Sequence, residues 1–158
     1  MPFTYVSGDP LLTRAQTLAF GHNARGRIEV GKLETRLHTT YPTAFAAYRK
    51  TCQAGRVKPG MIWAWRQTTP RLYFMVVRES SVGATRPRYV DGAALQIARD
   101  YALDGVTSLA IAPLGDHLEW RELLPVLAYW FDKIKLPVFV YESVIQGEQA
   151  NEDLPAGG

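Results

Sequence analysis

Two kinds of apolar segment alternate along this 158-residue chain and predict most of its structure. Short runs rich in aromatic and β-branched residues predict strands, and segments with apolar residues three or four positions apart predict helices. The predicted strands are residues 3–6, 17–20, 61–65, 72–77, 108–112 and 137–142. The predicted helices are one that carries Leu33 and Leu37, followed by residues 43–54, 89–103 and 119–133.

The order of these elements predicts an α/β fold. Residues 108–112 are apolar without alternation, as expected for a central strand that is covered on both faces. Helices between strands imply crossover connections, and therefore a three-layer α/β/α domain with a mixed, mostly parallel six-stranded sheet. We assign residues 1–146 to a single domain. Residues 147–158 are polar and small, without periodicity, so we expect a flexible C-terminal tail.

Composition narrows the class of protein. The content of 47% hydrophobic residues supports one packed core, and the net charge of +3 is compatible with an anionic ligand. The single cysteine, Cys52, excludes a disulfide within the chain and a multi-cysteine metal site. Neither an apolar stretch of about 18 residues nor a signal-peptide pattern is present, so we expect a cytoplasmic protein. We predict neither a metal nor a cofactor.

One stretch, residues 18–37, has a pattern typical of nucleotide binding. It runs from an apolar strand through a loop with glycines at 21, 26 and 31 into a helix. Glycines allow backbone N–H groups to approach phosphate oxygens, and a helix start adds unpaired N–H donors. Many loops of this kind carry glycines for turn geometry alone, so the pattern also has a purely structural interpretation.

Polar residues follow most of the predicted strands. In open α/β sheets, ligands bind in the crevice beyond the carboxyl ends of the strands. The residues that follow the strands are Gly8 and Asp9, His22 and Asn23, residues 78–88, Gly115 to His117, and Glu142. Structural interpretations stay open for several of them: Asp9 can cap a turn, Asp116 can cap the next helix, and His22 and His117 can be ordinary loop residues.

Taken together, the motifs resemble the macro domain family, whose α/β/α modules bind ADP-ribose and in some branches hydrolyse ADP-ribosyl bonds. The resemblance covers about residues 3–142 and is similar to the branch of the terminal ADP-ribose protein glycohydrolase and of the bacterial antitoxins that remove ADP-ribose from DNA bases. The motifs that carry it are TYVSGD (4–9), the loop ending at Gly31-Lys32-Leu33, YPTAFAAY (41–48), GRVKPG (55–60), SLAIAPLG (108–115), LEW (118–120) and VFVYE (138–142).

The resemblance implies a role for each motif. Asp9 would bind the adenine amino group, Asn23 the distal ribose, and the loop around Gly31 the diphosphate, while Gly115 and Asp116 would form a second phosphate-facing loop. The residues predicted to contact the ligand are Gly8, Asp9, His22, Asn23, Val30, Gly31, Lys32, Ser80, Gly115, Leu118 and Glu142.

The sequence also departs from the family pattern. Glu29 stands where the first of two loop glycines is expected, and the second loop is short. The hydrolytic branch has a lysine after the fourth strand that attacks the ribose anomeric carbon, whereas residues 78–88 contain none. Arginine stays protonated and cannot act as this nucleophile, which leaves only Lys32 for such a role.

Two hypotheses follow from these patterns. The first is an ADP-ribose-binding macro domain, with hydrolysis of ADP-ribosylated nucleic acid or protein as an additional activity. In that case Asp116, with His117, would position or deprotonate a water. The second is a diverged, non-catalytic module that binds another nucleotide or nucleic acid, for which the chain offers the arginines 25, 27, 78, 86 and 88.

Overall fold

The structure is a computed structural model that describes residues 3–154, with the side chain of His117 excepted. The strands are β1 (Phe3–Gly8), β2 (Thr17–Asn23), β3 (Ile62–Trp65), β4 (Arg71–Arg78), β5 (Leu109–Ile111) and β6 (Val138–Val144). The helices are α1 (Lys32–Thr40), α2 (Pro42–Gln53), α3 (Pro87–Asp100) and α4 (His117–Phe131). A short 3-10 helix, Pro10–Leu12, follows β1.

The six strands form one mixed sheet in the order β1-β6-β5-β2-β4-β3. Neighbouring strands are parallel except at the edge, where β3 pairs antiparallel with β4. The parallel pairs place the carboxyl ends of β1, β6, β5, β2 and β4 at a common edge of the sheet. This topology confirms the predicted mixed, mostly parallel sheet.

Two apolar clusters sandwich the sheet, one on each face. On one face, α1 and α2 pack through Leu37, Phe45 and Tyr48 against the side chains of Phe20 and Phe74. On the other face, the cluster of α3 and α4 with the sheet is formed by residues that include Ala19, Val90, Ile97, Leu127 and Val140. The helices therefore cover both faces, which confirms the three-layer α/β/α arrangement.

Strand β2 is longer than the hydrophobic pattern predicts. It continues through Gly21, His22 and Asn23, which pair with Met75, Val76 and Arg78 of β4. We predicted these three residues as the start of a loop because a glycine and polar side chains interrupt the apolar run. Pairing with a long central strand overrides that local signal, and it places His22 and Asn23 inside the domain.

The described part of the predicted flexible tail, residues 147–154, packs against the domain. The carboxylate of Glu152 accepts hydrogen bonds from Thr13 Oγ1 (2.6 Å), the Arg14 amide (2.9 Å) and Tyr141 Oη (2.6 Å). Ala150 is buried against the β1 end, where a Cβ on Gly8 would lie only 2.7 Å from the Ala150 nitrogen. The polar groups of this segment thus have partners on the domain, and its flexibility stays a prediction.

Within residues 3–154, no helix combines the length and the apolar character that crossing a membrane requires.

Candidate functional site

The carboxyl ends of β1, β2, β4, β5 and β6, with the loops that follow them, form the region that we call the crevice. We describe it from the β1 end, where Gly8 and Asp9 lie. Asp9 is completely buried. Its Oδ1 accepts a hydrogen bond from the Leu11 amide at 3.1 Å, and its Oδ2 accepts from the Gly147 amide at 2.9 Å and from Arg36 Nη2 at 2.5 Å.

These bonds determine the charge state of Asp9. Burial by itself raises the pKa of a carboxyl group, but the hydrogen bonds from Arg36, Gly147 and Leu11 outweigh it and hold the pKa of Asp9 below its ordinary value. Asp9 is therefore an ionised carboxylate with internal partners. Its predicted contact with an adenine amino group requires that Arg36 or the segment at Gly147 moves aside.

Asn23, at the end of β2, organises the loop that follows. Its Nδ2 donates to the Arg27 carbonyl at 2.9 Å and to Glu29 Oε1 at 3.1 Å. Its Oδ1 accepts from the amides of Arg25 (3.1 Å) and Arg27 (3.2 Å). The side-chain amide thus has internal partners for both its donors and its oxygen. The predicted contact of Asn23 with a ribose remains a prediction, and it requires that one of these bonds is exchanged.

His22 lies beneath the loop in an aromatic environment. Its ring packs edge-on against Tyr48, with a centroid distance of 4.9 Å, and its Nδ1 accepts a hydrogen bond from the Asn23 amide at 2.9 Å. Burial lowers the pKa of His22 to about 4, with smaller contributions from the positive charge of Arg78 and from His38. His22 is therefore a neutral, packed side chain at neutral pH. It lies within β2 and is not an ordinary loop residue. Its contact with a ligand stays a prediction.

The middle of the crevice contains an internal ion pair. The Glu29 carboxylate, 8% exposed, lies 3.5 Å from Arg78 Nη1 of β4. Burial raises the pKa of Glu29, and the neighbouring Arg78 charge acts in the opposite direction. The cavity lined by Glu29, Gly21, His22, Glu34 and Phe45 has a volume of only about 10 Å³, so it has room for about one water molecule.

Val30, Gly31 and Lys32 lie on the outer side of the same loop. The Val30 side chain is 94% exposed, and Lys32 begins α1 with an exposed side chain. The backbone of Gly31 has φ +149°, and a Cβ there would collide with the Glu34 carboxylate at 2.2 Å. An open recess of about 540 Å³ lies here, lined by Gly31, Lys32, Thr35, Arg36 and Gln146.

The second loop, between β5 and α4, is shaped by a capping box. Asp116 Oδ1 accepts from the Glu119 amide at 2.9 Å, and Glu119 Oε1 accepts from the Asp116 amide at 3.1 Å. Gly115 is required by this arrangement, since a Cβ there would lie 2.7 Å from Glu119 Oε1. The structure thus gives Asp116 a helix-capping role, and its catalytic role stays a prediction.

His117, the second predicted catalytic residue, begins α4, but its side chain lies outside the described part of the structure. Leu118 follows it and is 73% exposed. Glu142 and Ser143 of β6 line a second recess of about 220 Å³, which they share with Pro113, Gly115, Trp120 and Val144. The two recesses therefore contain four predicted ligand-binding residues: Gly31, Lys32, Gly115 and Glu142.

The loop after β4, residues 79–86, is tied to the second loop. The Thr85 amide donates to Glu119 Oε2 at 3.1 Å, and Thr85 Oγ1 donates to the Leu114 carbonyl at 2.9 Å. Ser80 is half-buried, and its carbonyl accepts from the Gly83 amide in a tight turn. Among the described residues, no group of three His, Cys, Asp or Glu side chains is placed to hold a metal ion.

Comparison with solved structures identifies the architecture. The chain superposes on the macrodomain of Thermus aquaticus DarG with a TM-score of 0.81 and 22% sequence identity, over 89% of this chain and 97% of that one. It matches the macrodomain of Mycobacterium tuberculosis DarG with a TM-score of 0.80 and 23% identity, over 88% and 96%. The chain has the macrodomain fold.

A third macrodomain structure, Thermosipho africanus DarTG in complex with ADP-ribose, matches with a TM-score of 0.79 and 19% identity, over 96% of this chain and 42% of that one. No protein-family model matches the sequence, and no curated protein matches it. The macrodomain fold confirms the resemblance that the motifs suggested, at identities that are informative about fold alone.

The sequence pattern does not predict two partners of Asp9. Arg36 of α1 bonds Asp9, and the backbone at Gly147 and Glu148 bonds the side chain and the amide of Asp9. Arg36 precedes Leu37, which is buried, so the helical pattern places it beside the core face of α1. In the tail, Ala150 and Leu154 were the available apolar signals, but two isolated residues do not form a pattern.

Proposed function

We propose that this chain binds ADP-ribose, or a closely related nucleotide, in the crevice. The observation that carries the proposal is the macrodomain fold itself, which presents the predicted β1, β2 and β5 loops at one edge of the sheet. The Thermosipho africanus structure with the same fold is a complex with ADP-ribose. Two recesses are candidates for the diphosphate at this edge, one lined by Gly31, Lys32 and Arg36 and the other by Gly115.

We propose ADP-ribose binding as the main function of the crevice and hydrolysis of ADP-ribosyl bonds as an additional activity. Residues 79–86 contain no lysine, and Lys32 is exposed at the start of α1. A mechanism with a lysine nucleophile from the loop after β4 is therefore ruled out by the sequence of that loop. If the protein also releases ADP-ribose from a modified nucleic acid or protein, we assign the positioning of water to Asp116, with His117.

Calorimetric titration with ADP-ribose tests the binding proposal, with ADP and AMP as controls. We expect ADP-ribose to bind more tightly than either control, because only ADP-ribose has the distal ribose that reaches the loop at Asn23. Equal affinity for ADP-ribose and ADP would contradict the assignment of the distal ribose to the crevice. Absence of binding by all three nucleotides would contradict the proposal as a whole.

A second candidate function, contact with nucleic acid, is favoured by a basic groove on the α2 face. The groove has a volume of about 640 Å³ and is lined by His22, Gly26, Arg27, Ile28, His38, Pro42, Phe45, Ala46, Arg49, Lys50 and Gln53. It contains no carboxylate. Arg27, Arg49 and Lys50 are exposed, and none of them takes part in the ion pairs of the described residues. Three cations without acidic partners are suited to a phosphate backbone.

Fluorescence anisotropy with a labelled single-stranded oligonucleotide tests the groove. We expect R49E/K50E to abolish binding, and binding by the unmodified protein to fall steeply with salt as counterions are released. The double variant R121E/K135E is the charge-matched control, because both side chains are exposed and Arg121 lies on α4, on the opposite face of the sheet. An equal loss in the two double variants would show that only net charge matters, and the groove would be rejected.

A further inference from the structure

Glu29 is a buried carboxylate with two donors directed at one of its oxygens. Glu29 Oε1 accepts a hydrogen bond from Asn23 Nδ2 at 3.1 Å and lies 3.5 Å from Arg78 Nη1. Arg78 is itself only 12% exposed. A buried guanidinium beside a side-chain amide donor is the usual composition of a site that recognises a carboxylate or a phosphate.

The loop that carries Glu29 is otherwise directed outward. Ile28 on one side is 65% exposed and Val30 on the other is 94% exposed, whereas Glu29 is 9% exposed. Gly26 and Gly31 flank this segment with positive φ values of +70° and +149°. Of the three consecutive side chains 28–30, only Glu29 holds the loop against the sheet.

The position of Glu29 carries an energetic cost. Burial of a carboxylate is unfavourable unless it is paired, and here a second carboxylate, that of Glu34, lines the same small cavity and raises the pKa of Glu29 further. Arg78 and Asn23 offset this cost. The carboxylate is therefore held by an anion-binding pair and at the same time repelled by its surroundings.

We propose that Glu29 is an internal anion, whose place beside Arg78 is taken by a phosphate group of the ligand when the Glu29 loop moves out and releases Asn23 for the adjoining ribose. The ligand class is a phosphate or diphosphate ester. The identity of that ester as ADP-ribose rests on the proposed function. The presence of the anion site itself rests on the contacts of Glu29 alone.

Binding of inorganic diphosphate and of ADP-ribose to E29A and E29Q tests the proposal. We expect E29A to bind diphosphate at least about tenfold more tightly than the unmodified protein, because the like charge of Glu29 no longer opposes the bound anion. The double variant E29A/R78A is expected to lose this increase in diphosphate affinity. E29Q keeps the size of the side chain, and it is expected to show a smaller gain in the same direction.

The matched control is E122A, which removes an exposed carboxylate of α4, on the opposite face of the sheet from α1 and α2. We expect its affinity for diphosphate to stay close to that of the unmodified protein. Equal diphosphate affinities of E29A and the unmodified protein, with both folded by circular dichroism, overturn the internal anion. If E29A binds diphosphate more tightly but ADP-ribose does not bind, the result supports the internal anion and contradicts the proposed function.

Discussion

Arg36 of α1 donates a hydrogen bond of 2.5 Å to the carboxylate of Asp9 at the end of β1. The Arg36 side chain is 26% exposed, while that of Asp9 is 1% exposed. The pair therefore fastens a surface helix to a buried strand end. It also assigns a structural function to the residue that the macro domain resemblance reserves for adenine.

Substitution of Arg36 by alanine tests how much this pair stabilises the fold. We expect R36A to lower the free energy of unfolding by about 1–3 kcal/mol at neutral pH, because a buried charge-assisted bond is lost and the Asp9 carboxylate keeps only backbone donors. The folded-state pKa of Asp9 is lowered, so its contribution is present above the unfolded pKa and is lost as the pH falls through the folded pKa.

Urea denaturation of R36A and the unmodified protein at neutral pH and near pH 3 measures the effect. The difference between them should shrink in acid, as Asp9 becomes protonated. R25A is the control, since Arg25 is exposed and forms no ion pair among the described residues. A difference that is the same at both pH values would show that Arg36 acts through packing and not through the Asp9 charge.

The sequence predicted the layers of this fold because the layers depend on local periodicity. The continuous run around β5 and the helical spacing of Leu123 and Leu127 in α4 each report burial directly. Pairings between distant segments leave no such signal. Nothing near Arg36 in the sequence shows that α1 will place it against Asp9, and nothing near Glu152 shows that Tyr141 will be its partner.

The candidate site was predictable in outline, since the carboxyl ends of parallel strands meet at one edge. The hydrogen-bond partners of its side chains were not predictable. Whether Asn23 faces a ligand or its own loop depends on the conformation of residues 24–30, which is set by the Glu29 contacts with Asn23 and Arg78. The same holds for Asp116, whose capping role depends on the orientation of Glu119 three residues later.

The packed C-terminal segment predicts that Glu152 contributes to stability. In E152A the hydroxyl groups of Thr13 and Tyr141 and the Arg14 amide lose their acceptor. We expect a decrease in the free energy of unfolding of about 3 kcal/mol by urea denaturation, since unsatisfied buried polar groups cost about 1–3 kcal/mol each.

Glu148 provides the control for this experiment, because its side chain is exposed and only its backbone bonds the domain. E148A should change the free energy of unfolding by less than about 0.5 kcal/mol. If E152A were equally silent, the Glu152 contacts would not hold this segment to the domain in solution, as expected for a flexible tail.

The buried His22 predicts a loss of stability in mild acid. Its pKa is about 4 in the folded protein against 6.5 for an ordinary histidine, so the unfolded chain binds a proton more readily below about pH 6.5. Between pH 7.5 and pH 5 this linkage should lower the free energy of unfolding by about 2 kcal/mol.

The variant H22Q tests this linkage. In H22Q that part of the pH dependence should be absent, and the free energies of unfolding of H22Q and the unmodified protein, measured by urea denaturation, should converge on acidification. Parallel profiles would show that His22 is accessible to protons in the folded state.

Asp116 has two candidate roles, and a pair of variants separates them. As a helix cap, Asp116 should contribute about 1 kcal/mol to stability, which D116A would lose. E119A breaks the reciprocal half of the same capping box and also releases the Thr85 amide, so it should destabilise the protein by at least as much.

An activity assay tests the second role of Asp116. If Asp116 also positions a water, D116A should abolish release of ADP-ribose from a modified oligonucleotide or protein, whereas E119A should retain activity at a temperature where both variants are folded. Equal turnover in the two variants would leave Asp116 with the capping role alone, because a purely structural defect affects both in the same way.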